Sequence, residues 1–258
     1  MELGLNNKKV LITGGSKGIG LACARAFMAE GARVAIVSRS RENLEQAKRT
    51  LGLVYTVAAD LIDAAAAAAM VEQVEKEFGA IDVLVNSAGA AKRTNADDLT
   101  PAAWRAAMDA KYFTYINVID PLVKRMAARG SGVIVNIIGA GGKIASPIHL
   151  AGGSANAALM LATAGLANAY AAKGVRVVGI NPGLTNTSRV SEGLKADAKR
   201  EGISEDEALA RAVKKLPLGR LAEPGEIADI AVFAASARGR FLTGANISAD
   251  GVSTPTVV

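Results

Sequence analysis

The chain has 258 residues, half of them hydrophobic and 21% charged, with a formal net charge of +6, so it can build a sizeable core and is not expected to be disordered. One cysteine, Cys23, excludes an intramolecular disulfide, and one Cys with one His, His149, excludes zinc sites of the usual kinds, so no metal is expected. Basic residues are scattered among acidic ones without interleaved aromatics, which speaks against nucleic acid as a partner.

Strand and helix signals then alternate along the chain. An apolar run at 9–13 ends at glycines and predicts a buried strand; helical spacing follows over 19–30 and stops at Gly31. Strands are predicted at 33–38 and 54–58, with a helix over 41–51 between them. Asp63 suits the N-cap of a helix over 63–78, and the consecutive alanines 64–69 favour that helix. A fourth strand is predicted at 81–85. Thr100-Pro101 then opens a long helix, a capping residue followed by Pro at the first helical position. A strand at 133–138, a helix over about 152–173, a strand at 175–180, a helix opened by Pro224 and a short strand at 246–248 complete the series.

Strands that read as continuous apolar runs are buried on both faces, and regular strand–helix alternation gives right-handed crossovers and a parallel sheet. The expectation is an α/β protein: a single Rossmann-like domain over 1–258, built on a doubly wound parallel sheet. The polar, partly helical segment 185–216 is expected as an insertion over the carboxyl end of the sheet, where ligands bind in such folds. The polar start, 1–9, has no signal-peptide pattern. The longest apolar stretch, 157–172, is interrupted by Thr163, Gly165, Asn168 and Tyr170 and reads as too short and mixed to span a bilayer. A cytoplasmic protein without a membrane partner is therefore expected, and the single cysteine fits a reducing compartment.

The first strand runs into Thr13-Gly14-Gly15-Ser16-Lys17-Gly18-Ile19-Gly20. Glycines there let the backbone turn tightly and approach a pyrophosphate, and the following helix points free N–H groups at that anion. A glycine-rich turn alone needs no ligand; its place between a strand and a helix, at the start of an alternating fold, is what points to a dinucleotide. The second strand ends in Ser38-Arg39, without the carboxylate that would bond the ribose hydroxyls of NAD(H). Arg39 offers a planar fork to a phosphate, and Lys17 in the turn can join it. NADP(H) is therefore preferred over NAD(H), the alternative being that Arg39 is a solvated surface charge.

Segment 13–20 resembles the TGxxxGIG motif of the short-chain dehydrogenase/reductase family, and further matches follow in the same order. Asp60-Leu61 resembles the family's adenine-contacting Asp. Asn86-Ser87-Ala88-Gly89 resembles NNAG, and Asn181-Pro182-Gly183-Leu184-Thr185-Asn186-Thr187 resembles the PGxxxT segment beside the nicotinamide. Residues 218–228 and 249–251 match the C-terminal pattern, so the resemblance covers the whole chain. It implies strand order 3-2-1-4-5-6-7, a small-molecule substrate and self-association as a dimer or tetramer. Together with the turn and the end of the second strand, it assigns cofactor contacts to Gly14, Ser16, Lys17, Gly18, Ile19, Ser38, Arg39, Asp60, Leu61, Asn86, Ala88, Gly89, Pro182, Gly183, Thr185 and Thr187.

Members of that family reduce a carbonyl or oxidise an alcohol with a Tyr-x-x-x-Lys pair, a Ser after the fifth strand and an Asn in the preceding helix. Here Ala155-Asn156-Ala157-Ala158-Leu159 stands where Ser-Lys-Ala-Ala-Leu would. That register puts Asn156 at the Lys position, Gly152 at the Tyr position, Gly139 at the Ser position and Lys111 at the Asn position. Glycine has no proton to give and Asn does not titrate. No tyrosine lies between 140 and 169, so shifting the register does not restore the motif.

Three readings compete. In the first, an oxidoreductase acting on a carbonyl, an alcohol or an activated alkene uses a rebuilt site with Lys111 or His149 as acid or base, beside Asn156. His149 needs little tuning from about 6.5, whereas Lys111 needs its pKa lowered by burial or neighbouring charge. In the second, a non-redox enzyme or sensor keeps the cofactor as a scaffold or ligand. In the third, the acid is Tyr112 or Tyr115; Tyr115 lies one helical turn from Lys111, but its packing in a subunit interface is the preferred expectation. Lys92, Arg93 and Lys143, with Lys111, would suit an anionic substrate such as a carboxylate or acyl thioester, solvent-exposed lysines being the plainer alternative.

Overall fold

The first apolar run forms strand β1, Lys9–Thr13, and its side chains alternate between two cores: Val10 and Ile12 pack on one face of the sheet, Leu11 on the other. A computed structural model describes residues 2–89, 93–253 and 255–256. Lys92, one of the basic residues named above, lies outside them. Among the described residues β1 is joined by β2 (Arg33–Ser38), β3 (Tyr55–Ala58), β4 (Val83–Asn86), β5 (Gly132–Ile137), β6 (Val175–Pro182) and β7 (Asn246–Ala249). All pair in parallel, in the order β3-β2-β1-β4-β5-β6-β7, the expected Rossmann-like arrangement. β4 starts later than the sequence suggests, because Asp82 at its head uses its carboxylate to bond the Lys9 N–H.

The helices are α1 (Gly18–Ala29), α2 (Arg41–Leu51), α3 (Ala64–Glu77), α4 (Pro101–Met108), α5 (Thr114–Arg129), α6 (Leu150–Tyr170), α7 (Ser188–Glu201), α8 (Glu205–Lys214) and α9 (Pro224–Ala235). α1, α2 and α9 cover one face of the sheet; α3, α5 and α6 cover the other. Both faces are thus dry, which is why the strands read as unbroken apolar runs. Cys23 on α1 is fully buried, and burial first, with Asp229 second, pushes its thiol up to about 12; it packs as a small apolar residue. The capping signals hold: Asp63 accepts from the N–H groups of Ala65 and Ala66, and Thr100 from that of Ala103 ahead of Pro101.

Two elements depart from the sequence expectation. The long helix opened by Thr100 is not continuous: residues Asp109–Phe113 form a π-turn between α4 and α5, a local widening that turns Lys111 inward. The apolar stretch read as too short to span a bilayer is part of a longer helix. Residues Leu150–Lys173, with mean hydropathy 1.3 over an 18-residue window, are long and apolar enough by length and composition to cross a membrane. In this fold one side of α6 is buried, at Ala151, Ala155, Leu159, Thr163 and Ala167, with Leu159 and Ala167 in the core on that face of the sheet, and Leu161 is left 77% exposed on its outer side. Segment 185–216 holds α7 and α8, which pack on each other, and the first turn of α7 reaches the carboxyl end of the sheet.

Candidate active site

Strand order reverses between β1 and β4, and there the chain opens a cleft of about 560 Å³ at the carboxyl ends of the strands. The turn after β1 forms one wall. Gly14 has φ +65°, and a Cβ on it would lie 2.8 Å from the Ala88 backbone; a Cβ on Gly20 would lie 2.3 Å from the Gly14 carbonyl oxygen. Only glycine lets β1, α1 and the segment after β4 approach this closely. The N-cap of α1 is Lys17, which makes no side-chain cap, whereas Ser40, Asp63, Thr100, Thr187 and Ser204 cap the helices they open. The uncapped N–H groups at Gly18 and Ile19 therefore face a cleft suited to an anion.

The cleft brings together nearly all the residues assigned to the cofactor. Gly14, Ser16, Lys17, Gly18 and Ile19 line it from the turn, and Ser38 and Arg39 from the end of β2. Asp60, Leu61, Ala88 and Gly89 line it after β3 and β4, and Pro182, Gly183, Thr185 and Thr187 after β6. Asn86 is the exception. It is fully buried beneath the cleft, where its Oδ1 accepts from Thr13 at 3.3 Å and its Nδ2 donates to Asn136 at 3.0 Å. Asn136 in turn donates to Thr163 on α6 at 3.0 Å. This buried chain ties β1, β4, β5 and α6 together under the site. The mutation Asn136→Ala should leave the Asn86 amide unpaired and cost roughly 2–4 kcal/mol, read as a lower urea midpoint at unchanged m-value.

Lys111 lines the inner end of the cleft and is only 7% exposed. Its Nζ donates to the Tyr115 hydroxyl at 2.8 Å and to the Ile137 carbonyl at 3.0 Å, and sits 4.5 Å from the centre of the Tyr115 ring. Tyr115 itself donates to the same carbonyl. Burial first, and the nearby Arg189 charge second, lower Lys111 to about 7. Burial pushes the Tyr115 hydroxyl up, so it keeps its proton and its bond to Ile137. Tyr115 is fully buried within the chain, which corrects its assignment to a subunit interface. The meeting of Lys111 with Tyr115 one turn away was legible in the spacing; their shared acceptor on β5 was not.

The other candidates stand elsewhere. His149 is the N-cap of α6 and does not line the cleft. A Cβ on Gly141 would lie 3.1 Å from its ring, and its buried Nδ1 has no partner among the described residues. Burial, then Arg93 and Lys111, lower its pKa, which keeps the ring neutral. Asn156 is buried and also does not line the cleft; its Nδ2 is 3.3 Å from where a Gly139 Cβ would stand, so the two positions do converge. Lys143 bonds Ser248 on β7 at 2.9 Å, and Arg93 pairs with Asp197 at 3.5 Å, so neither joins Lys111 in the cleft as the basic cluster required. Besides Lys17 and Arg39 of the cofactor set, a cation that does share the cleft is Arg189 on α7, whose Nη1 donates to the Gly89 carbonyl at 3.2 Å. Sequence reading missed it, together with Thr114, Asn136 and Thr163. Their signals were an Arg just past Thr187 and a polar residue inside an apolar strand.

A family model described as short chain dehydrogenase matches residues 8–198. The chain is 31% identical to the 3alpha-hydroxysteroid dehydrogenase of Mediterraneibacter gnavus, over 98% of this chain and 99% of that one. It resembles the crystal structure of L-sorbose reductase from Gluconobacter frateurii complexed with NADPH and L-sorbose, with a TM-score of 0.93, 30% identity and full coverage of both chains. It is also similar to an NADPH-bound short chain oxidoreductase from Pseudomonas aeruginosa described as containing an atypical catalytic center. That match has a TM-score of 0.89 and 29% identity, covering 99% of this chain and 100% of the other.

Proposed function

From the premise that the chain belongs to the short-chain dehydrogenase/reductase family, we propose that it is an NADP(H)-dependent oxidoreductase acting on a carbonyl, an alcohol or an activated alkene, with Lys111 as its proton donor. The observation that carries this reading is a buried amine lining the cleft, held at about 7.

The residues present fit the cofactor. The uncapped start of α1, with Gly14 and Gly18 at φ +65° and +53°, suits a pyrophosphate, and Lys17, Ser38 and Arg39 suit an additional phosphate on the ribose. When bound, the nicotinamide supplies or accepts the hydride. The chain supplies the proton. In the reductive direction protonated Lys111 gives it to the developing oxyanion, while the Tyr115 hydroxyl and the Ile137 carbonyl hold the amine in place. A donor with this pKa works near neutral pH. The kcat/KM for reduction should be level below about pH 7 and fall about tenfold per unit above it; oxidation should show the mirror profile.

The cofactor preference rests on Arg39. Arg39→Asp should lower NADPH affinity by about 10- to 100-fold and leave NADH equal or better, since a carboxylate there repels the phosphate and accepts from ribose hydroxyls. Titration of cofactor fluorescence reads this directly, and an unchanged preference makes Arg39 a surface charge. We also take the protein to self-associate as a dimer or tetramer, with the outer side of α6 around Leu161 as an apolar surface to cover, and to work in the cytoplasm.

A further inference from the structure

The inner end of the cleft brings two cations together. Lys111 enters from the π-turn on one side and Arg189 from the first turn of α7 on the other, and both line the same space with Thr114 and Gly139. Arg189 is near enough for its charge to act on Lys111, and the action is repulsive. The carboxylates lining the cleft are Asp60, beyond β3, and Glu192, three residues after Arg189 on α7. Neither is bonded to Lys111, whose partners are a hydroxyl and a carbonyl. Arg189 uses one N–H on the Gly89 carbonyl, which fixes the guanidinium against the segment after β4 and leaves donors of its planar fork for another acceptor. Lys111, Gly139 and Arg189 line one cleft of about 560 Å³, which has room for a ligand.

We propose that the substrate is a carbonyl compound bearing a carboxylate, an oxo acid, whose carboxylate pairs with the Arg189 guanidinium while its carbonyl oxygen lies at the Lys111 amine. The proposal rests on the oxidoreductase reading above and names its substrate class. A carboxylate matches a guanidinium fork in two parallel bonds, and placing it there relieves the repulsion between the two cations. A phosphate of the cofactor has the same oxyanion chemistry and is the other candidate for Arg189.

The test uses the full chain saturated with NADP+, in which a ketone binds but is not reduced. 2-, 3- and 4-oxo acids of graded length and their methyl esters are titrated by calorimetry. At least one acid should bind about tenfold or more tightly than its ester, a charge-assisted bond being the difference. Arg189→Gln should abolish that preference while leaving the ester's affinity unchanged, and Arg189→Lys should keep part of it. Acid–ester pairs that bind alike, an absence of binding by any acid, or a preference that survives Arg189→Gln would each overturn the proposal. So would a loss of NADP+ affinity in Arg189→Gln with the acid preference intact, which would assign Arg189 to the cofactor. Binding is read without turnover, so oxo-acid binding by a chain that reduces no carbonyl would refute the redox reading alone.

Discussion

Lys111→Met is expected to remove turnover and to raise thermal stability at the same time. The first effect follows from the proton: a positioned general acid contributes about 10²- to 10⁴-fold, and methionine has none to give. The second follows from burial. Lys111 is buried at the inner end of the cleft and bonds to no carboxylate, so the folded chain pays to charge it, and about 7 is the consequence. An unfolded lysine titrates near about 10.4. Between about 7 and about 10.4 the unfolded chain binds more protons at this position, so stability rises with pH across that window. Below about 7 the penalty is fully present.

Methionine has a similar reach and no charge, and Tyr115 keeps its own bond to Ile137, so no polar group is orphaned. A gain of about 1–4 kcal/mol near pH 6 is expected, worth roughly 2–4 °C in Tm for each kcal/mol in a chain of this size. The gain should shrink as the pH is raised toward 10. Retained turnover in the variant would refute the proton role, and a lower Tm at pH 6 would show that the amine's hydrogen bonds outweigh its desolvation.

Gly14→Ala should produce the largest loss of cofactor binding. Its φ of +65° alone costs an L-residue roughly 1–2 kcal/mol, and the new Cβ would fall 2.8 Å from the Cα and N of Ala88 and the O of Ser87, all backbone atoms. Something must shift, and what shifts is the wall of the cleft between β1 and β4. A Tm lower by several degrees and cofactor affinity weaker by at least about tenfold are expected. Gly130→Ala is the control: it has φ +72° but meets nothing within 4 Å, so it carries the strain without the collision. Equal behaviour of the two variants in cofactor titration would mean that the close approach at Gly14 is irrelevant to binding.

How much of this was legible from the chain follows from the range of the interactions. The parallel α/β architecture, the dry faces of the sheet and the glycine turn were readable because each is written in local patterns: continuous apolar runs, helical spacing, capping residues, and glycines where the backbone must take positive φ; the strand order came only from the family resemblance. The pairing of Lys111 with Tyr115 was readable for the same reason, since four residues make one helical turn. The cleft could not be assembled that way. The Ile137 carbonyl comes from β5 and Arg189 from α7, and they meet Lys111 only after distant elements pack. His149, Lys143 and Arg93 were plausible partners until packing sent them to α6, β7 and Asp197. The π-turn that turns Lys111 inward leaves no mark on apolar spacing.

By itself, then, the sequence determined the architecture and the place where a dinucleotide would sit, because those depend on backbone conformation and burial, which neighbouring residues dictate. Only the tertiary structure decided which charged groups share the inner end of the cleft and which of them burial brings to a useful pKa, because desolvation and charge–charge repulsion depend on distances between segments far apart in the chain.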